Sequence, residues 1–175
     1  DVMMYDQKGD SMIYASRISA KVSLLPLLNQ KISIASAQLF GLKANLYQQT
    51  PQSKHNFQFV LDSLASKDTT KHTPLDLHIG SLIIRHGAVK YDKRYIVSKS
   101  GVFSPAHISI SDLSTHIIAN HITDDAINLH IKKLAFRDKS GLQLNSLSFK
   151  LDANKREASL KAVSYTHLRA HETKA

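Results

Sequence analysis

The chain has 175 residues, 42% of them apolar, with 6 Gly, 4 Pro and no Cys. That length and apolar content suit a packed domain, or part of a larger protein, and exclude a disordered chain; the sparse Gly and Pro argue against a turn-dense small barrel, and the lack of Cys excludes disulfides and thiolate metal sites. The net charge of +9 suits an anionic partner, but Lys and Arg are spread along the chain in runs no longer than two, as at Lys132-Lys133 and Lys155-Arg156, so a solvated basic exterior is the simpler reading.

Strand-like text begins at Asp1-Val-Met-Met-Tyr, so the chain is expected to be an internal piece of a longer protein. Met12, Tyr14, Ile18, Ala20, Val22 and Leu24 alternate with Arg17, Ser19, Lys21 and Ser23, the pattern of one half-buried strand. The knot LLPLLNQ, residues 24–30, predicts one short helical turn. Residues 31–49 return to strand, with Ile32, Ile34, then Ala37, Leu39, then Leu42, Ala44, Leu46. In HNFQFVLDSLASKD, residues 55–68, Phe57, Val60, Leu61 and Leu64 sit at i, i+3, i+4 and i+7. That spacing predicts an amphipathic helix at about 56–67, with Asn56 as candidate N-cap and a polar loop behind it to Pro74.

From residue 75 onward the chain reads as strands joined by short turns. The turns are expected at Asp92-Lys93-Arg94, Lys99-Ser100-Gly101, Thr123-Asp124-Asp125, Lys139-Ser140-Gly141 and Asn154-Lys155-Arg156. Strands so joined pair antiparallel. The last stretch, VSYTHLRAHETKA at 163–175, drops the period-2 pattern and resembles translated adapter read-through. It is set apart as a non-native tail, and with it the metal-like spacing of His167 and His171.

One pattern repeats. The unit apolar-x-apolar-x-x-apolar-x-apolar occurs at Leu77, Ile79, Leu82, Ile84, and an offset of 45 residues aligns it with Ile32, Ile34, Ala37, Leu39. It recurs at Leu129, Ile131, Leu134, Phe136 and at Leu142, Leu144, Leu147, Phe149, with a weaker copy at Ile108, Ile110, Leu113. A two-residue step reverses the alternation. A β-bulge absorbs such a step by adding one residue while bending and twisting the strand, so the apolar set stays on one side. The alternative is a strand that leaves one apolar environment for another. Either suits a strongly twisted, curved sheet.

Catalytic patterns are missing. There is no Gly-rich phosphate loop and no Gly-x-Ser-x-Gly elbow. His78, His86, His107, His116, His121 and His130 stand singly in strand text, and His78 and His130 fall where an outward polar residue belongs. Asp92 and Asp138 follow the repeat where strands end, and Asp124-Asp125 reads as a turn, so turn roles are expected. The aromatic residues do not interleave with basic ones as an RNA- or DNA-binding surface would require. No catalytic residue, metal site, cofactor or nucleic-acid partner is expected.

What remains is the apolar inventory. A sheet of roughly eight strands with one greasy face exposes more apolar area than a soluble monomer tolerates, and one short helix cannot cover it. The sheet must close on itself, meet more protein, or hold something apolar such as acyl chains.

At this point three segments carry a resemblance: ASRISAKVSLLPLLNQKISIASAQLFGLKANLYQ, then NFQFVLDSLASKDTT, then LDLHIGSLIIRHGAVKYD. In their order and motifs they resemble the N-terminal part of TamB proteins of the AsmA-like superfamily, in the Bacteroidota version, over about residues 1–162. The resemblance implies a mainly β fold, a long antiparallel, strongly twisted and curved sheet shaped as a taco-like groove, with one or two short helices capping one end. It implies a non-enzymatic protein of the periplasm, anchored to the inner membrane by a helix outside these residues. Such proteins move phospholipids to the outer membrane and serve its assembly through a barrel partner, docked by C-terminal regions also outside them. The implied partner here is phospholipid acyl chains, and the implied groove lining is the repeat set: Ile34, Leu39, Leu46, Leu77, Ile79, Ile84, Val89, Ile131, Phe136, Leu144 and Phe149. The competing expectation is a β-rich structural or protein-interaction module in which the same residues form a closed core with no lipid cargo.

Overall fold

Short connections make antiparallel neighbours, whereas a parallel pair needs a long crossover; this chain uses both. The computed structural model describes residues 1–26, 31–64, 76–99, 101–123 and 125–169. Among them the elements are β1 (Val2–Tyr5), β2 (Ser11–Ala15), β3 (Arg17–Ser23), β4 (Ile32–Phe40), β5 (Lys43–Gln48), α1 (Gln58–Leu64), β6 (Asp76–Lys93), β7 (His107–Thr123), β8 (Ala126–Asp138), β9 (Gln143–Asn154) and β10 (Ala158–Arg169). The ten strands form one open sheet. β2 and β3 lie end to end in one row, and β4 and β5 in the next, so the sheet has eight rows in chain order.

The fold is mainly β, as the sequence reads, and from β6 to β10 it is an antiparallel meander. One joint differs. β4 and β5 both run parallel to β6, and α1 lies in the connection between β5 and β6. The 45-residue self-similarity is the register of this joint: Ile32 pairs with Leu77, Ile34 with Ile79, Ala37 with Leu82, Leu39 with Ile84 and Ala44 with Val89. Parallel partners point to the same face, so a step in one strand must be matched in the other. Neither Ala35-Ser36 nor Gly80-Ser81 is paired across the joint. At that place a Cβ on Gly80 would lie 2.7 Å from the Ala35 carbonyl oxygen, which is why residue 80 carries no side chain.

A second irregularity is matched in the same way. Gly41, with φ of 62°, separates β4 from β5, and His86, with φ of 52°, stands beside it in β6. On the other flank Ser16 separates β2 from β3; its N–H and its hydroxyl donate to the Phe40 carbonyl at 3.0 and 2.7 Å. The next row continues the line with Asp112, also at φ 52°. Bulges bend their strands and sharpen the local twist, so a crease crosses four rows through Ser16, Gly41, His86 and Asp112.

The crease corrects one expectation. Met12 and Tyr14 are not on the face of Ile18, Ala20 and Val22. Ile13 pairs with Ala44 while Ile18 pairs with Leu39, so the alternation reverses at Ser16 and sends Met12 and Tyr14 to the opposite side.

The helix begins at Gln58, later than the expected start at about 56, and residues 65–67 lie outside the described residues. Asn56 is not its N-cap. Its Oδ1 accepts the Tyr47 N–H at 2.9 Å, its Nδ2 donates to the Asn45 carbonyl at 3.0 Å, and its own N–H donates to the Tyr47 carbonyl at 3.0 Å. β2 pairs with β5 only at Lys43 and Ala44. Beyond that point the outer edge of β5 is unpaired, and Asn56 supplies the bonds a neighbouring strand would give.

Leu24 forms a bend, Leu25 and Pro26 begin a 3-10 turn, and residues 27–30 of the knot lie outside the described residues, as do Leu75, Ser100 and Asp124 of the other expected elements. Three of the expected turns are held by side-chain acceptors. Asn154 Oδ1 takes the N–H groups of Arg156 and Glu157, and Thr123 Oγ1 takes that of Ala126. Asp138 Oδ2 takes that of Ser140, ahead of Gly141 at φ 93°. The stretch set apart from 163 continues β10 as far as Arg169, in register with β9 to the pair Arg169–Gln143. An open sheet edge accepts any neighbouring chain without Pro; residues 170–175 lie outside the described residues.

Candidate functional site

In an antiparallel or parallel pair, partner residues share a face, and residues two apart on one strand share a face. The register therefore sorts every side chain. In β6, Ile79 and Leu82 are three apart, yet their partners in β7 are Ala119 and Ile117; Ile84 and Gly87 are three apart, yet their partners are Thr115 and Leu113. Each step is thus a bulge that keeps the apolar residues on one side. The same holds in β8, where Ile131 and Leu134 pair with Phe149 and Leu147, and in β9, where Leu147 and Leu144 pair with Leu134 and Phe136.

Carried across the rows, the rule places all eleven expected lining residues on one face: Ile34 and Leu39 from β4, Leu46 from β5, Leu77, Ile79, Ile84 and Val89 from β6, Ile131 and Phe136 from β8, Leu144 and Phe149 from β9. β7, which supplied none of them, adds Ile108, Ile110, Leu113, Ile117, Ala119 and Ile122 to the middle of that face. The weak copy of the repeat was the signal for it. The apolar face is continuous from β1 to β9.

This face is half-buried rather than closed. Of the eleven, Ile131 and Leu144 are buried and the other nine are intermediate. Toward the margins the face is wetter, with Val2 at 48%, Ile18 at 42% and Val22 at 45% exposure. Elements in extensive contact are all neighbours within the sheet, so among the described residues no second layer covers the face. The segment before α1 touches one end only. There the His55 ring stacks on Tyr91, with centroids 5.9 Å apart and His55 Nε2 3.0 Å from the Tyr91 hydroxyl.

The opposite face carries the polar and basic side chains: Arg17, Lys21, Lys43, Arg85, Lys90, Lys133 and Lys150 by the same register. His78 and His130 are on it, as expected. His78 Nδ1 donates to the Asn120 carbonyl at 3.0 Å. His130 pairs with Lys150; burial first, then the charges of Lys150, Lys132 and His116, hold its pKa below the ordinary 6.5. Among the described residues no cluster of His, Asp or Glu has the makings of a metal site.

Two polar assemblies were not legible in the sequence. The first is built on Asp6. Its Oδ1 accepts the N–H groups of Lys8 and Asp10 at 2.9 and 3.0 Å, and its Oδ2 accepts the Tyr47 hydroxyl at 2.8 Å. Both side chains are buried. Burial works to raise the Asp6 pKa, but the hydrogen bonds from Tyr47, Lys8 and Asp10 outweigh it and hold the carboxyl below its ordinary 3.8. Burial, and then the bond to Asp6, push the Tyr47 hydroxyl above its ordinary 10.0. The Arg94 guanidinium lies 3.7 Å over the Tyr47 ring.

The second corrects the turn role expected for Asp92, which instead lies within β6 and accepts from His107 Nδ1 at 2.6 Å across the strand pair. Asp138 does hold a turn, and its Oδ1 also accepts the Ser109 N–H at 3.0 Å. Its burial would raise its pKa, but the bonds from Ser140 and Ser109 win and lower it.

A cleft of ≈ 530 Å³ opens on the polar side, at the β1–β2–β5–β6–β7 end. Met12, Tyr14, Lys43 and Lys90 border it, and of the eleven expected residues only Val89 does. No protein-family model, curated protein or solved structure matches the chain.

Proposed function

We propose that this chain is a segment of a lipid-conducting β-groove of the TamB type, its apolar face receiving phospholipid acyl chains on their way to the outer membrane. The observation that carries this reading is the register: bulges in successive rows bring eleven repeat residues from β4, β5, β6, β8 and β9 to one continuous face that the described residues leave half-buried. Each large apolar side chain left wholly in water forfeits roughly 1.5–3 kcal/mol, so a face of this breadth favours any occupant that removes it from water. Acyl chains meet that need without specific polar groups, and the two buried polar side chains that the described residues place on the face, Thr115 and Asp138, are bonded within the sheet. The role is non-enzymatic. It places the segment in the periplasm, within a parent protein anchored in the inner membrane and working with an outer-membrane barrel partner.

The test is native mass spectrometry of the folded chain expressed in a Gram-negative host, together with photo-crosslinking residues placed singly at Phe149 and at Lys150. These neighbours point to opposite faces. Bound phospholipid together with lipid adducts from position 149 alone is the expected result. Folded, lipid-free protein, or equal adducts from both positions, overturns the proposal.

A further inference from the structure

The polar side carries a site of its own, independent of the groove reading. The ≈ 530 Å³ cleft is of the size that holds a small ligand, and its composition is uneven. Met12, which is 1% exposed, and Ala88 give it an apolar floor, while Met3 and Tyr14 form a side wall. Lys43 and Lys90 stand on its rim. The Lys43 Nζ lies 5.6 Å over the Tyr14 ring. No carboxylate lines the cleft, and neither lysine enters an ion pair among the described residues.

A second cleft, of ≈ 480 Å³, adjoins the first; Lys90 and Ser109 border both. Its character is reversed. Lys99 and Lys139 line it, together with His107, Ser140 and the carboxylates of Asp92 and Asp138, which the His107 ring and the Ser109 and Ser140 N–H groups already engage. His107 Nε2 is a buried polar atom without a hydrogen-bond partner, a condition that native proteins rarely leave without cause. The Asp92 carboxylate fixes the other ring nitrogen of His107. Along one line on the surface, an apolar recess therefore passes, at Lys90, into a polar recess bordered by lysines, with one unused ring nitrogen.

We infer that these adjoining clefts bind one single-chain amphiphilic anion, its apolar tail over Met12 and Ala88 and its carboxylate or phosphate head against Lys90, Lys99 and Lys139. Charge complementarity selects the head, because three lysines face the recess while its two carboxylates, Asp92 and Asp138, are already engaged within the protein. The apolar floor selects a tail over a free inorganic anion. The groove face is not involved, since Met12, Tyr14, Lys43, Ala88 and Lys90 all belong to the opposite register set.

The experiment is isothermal titration of the full chain with dodecanoate, dodecyl phosphate, dodecanol and inorganic phosphate. One site is expected for the two anionic amphiphiles, with dodecanol and inorganic phosphate at least tenfold weaker. The tighter of the two anions identifies the head. The double variant Lys90→Glu/Lys99→Glu, at exposed positions, should weaken binding at least tenfold, and Ala88→Trp should abolish it by filling the recess. Leu147→Asp, on the other face, should leave it unchanged. Dodecanol binding as tightly as dodecanoate overturns the inference. So does binding that survives the double charge reversal but is lost in Leu147→Asp, which would assign the ligand to the groove. Should Ala88→Trp fail to fold, as circular dichroism would reveal, the charge reversal decides alone. Because the two sites use opposite faces, loss of phospholipid in the groove experiment leaves this result standing, and the reverse.

Discussion

The two faces of this sheet are made from the same strands and differ in what they lack. The polar face meets most of its needs from within: Asp6 with Tyr47, Asp92 with His107 and His78 with Asn120 are internal pairs, and among the described residues His107 Nε2 is the buried exception. The apolar face cannot. Seven apolar residues are buried among those described, and five of them, Ala15, Leu113, Ala119, Ile131 and Leu144, lie on it, yet its other large side chains stay half-wet. In a single-layer sheet, burial comes from curvature and from neighbours in the plane rather than from a second layer. Such a face is finished only by something outside the described chain.

That contrast depends on the bulges, so the strongest way to break it is to forbid one. Gly80→Val would set a Cβ 2.7 Å from the Ala35 carbonyl oxygen, at the joint where β4 and β6 step together. Backbone on both sides must move, and overpacking of this kind costs about 3 kcal/mol. Urea denaturation should show it as a large drop in midpoint. An unchanged midpoint would mean that the joint is not held in this register.

This joint also shows how much the sequence told. The apolar-x-apolar-x-x-apolar-x-apolar unit named the groove-face residues because a bulge leaves its trace in the same strand that carries it: the step between Ile79 and Leu82 is visible without knowing the partner. The 45-residue offset was visible too, but not its meaning, since equal patterns arise in strands that pair and in strands that do not. The reversal at Ser16 was hidden, because Met12, Tyr14 and Ile18 keep an even spacing straight through it and the bend is imposed by Gly41 in the next row. The Asp6 network joins residues 41 apart in sequence through one hydroxyl. No local spacing encodes that, nor a cleft assembled from five strands.

On the polar face the largest effect is expected at that network. Asp6→Ala would leave the Tyr47 hydroxyl and two backbone N–H groups without their acceptor, a loss of about 1–3 kcal/mol for buried groups. Tyr47→Phe, which keeps the ring under Arg94, should cost less. The same carboxyl makes stability depend on acid. Its folded pKa lies below the unfolded 3.8, so its contribution is complete above 3.8 and is lost as the pH falls through the folded value. In Asp6→Ala that part of the acid transition should be missing. Equal acid sensitivity in both proteins would refute the assignment.

A neighbouring pair on one strand compares the faces directly. Leu147 and Ser148 are adjacent in β9 and point to opposite sides. Leu147→Asp removes a half-buried apolar side chain, worth about 1 kcal/mol, and sets a charge in the apolar face, so retained phospholipid should fall severalfold. Ser148→Asp should change neither quantity by more than experimental error. Equal losses from both would erase the distinction between the faces.

The smallest expected effect belongs to His130. Its partner across the strand pair is Lys150, and Lys132 and His116 stand near. Burial first, then those charges, depress its pKa below 6.5. Below pH 6.5 the unfolded chain takes up a proton that the folded chain resists, so stability is full above that pH and declines as the pH falls through the folded value. His130→Gln cannot take up the proton in either state. Urea midpoints measured at pH 7.5 and again near pH 5 should therefore fall less in the variant than in the native chain. A parallel decline in the two would mean that the imidazole titrates alike folded and unfolded, and that the basic side chains around it are too well solvated to act on one another.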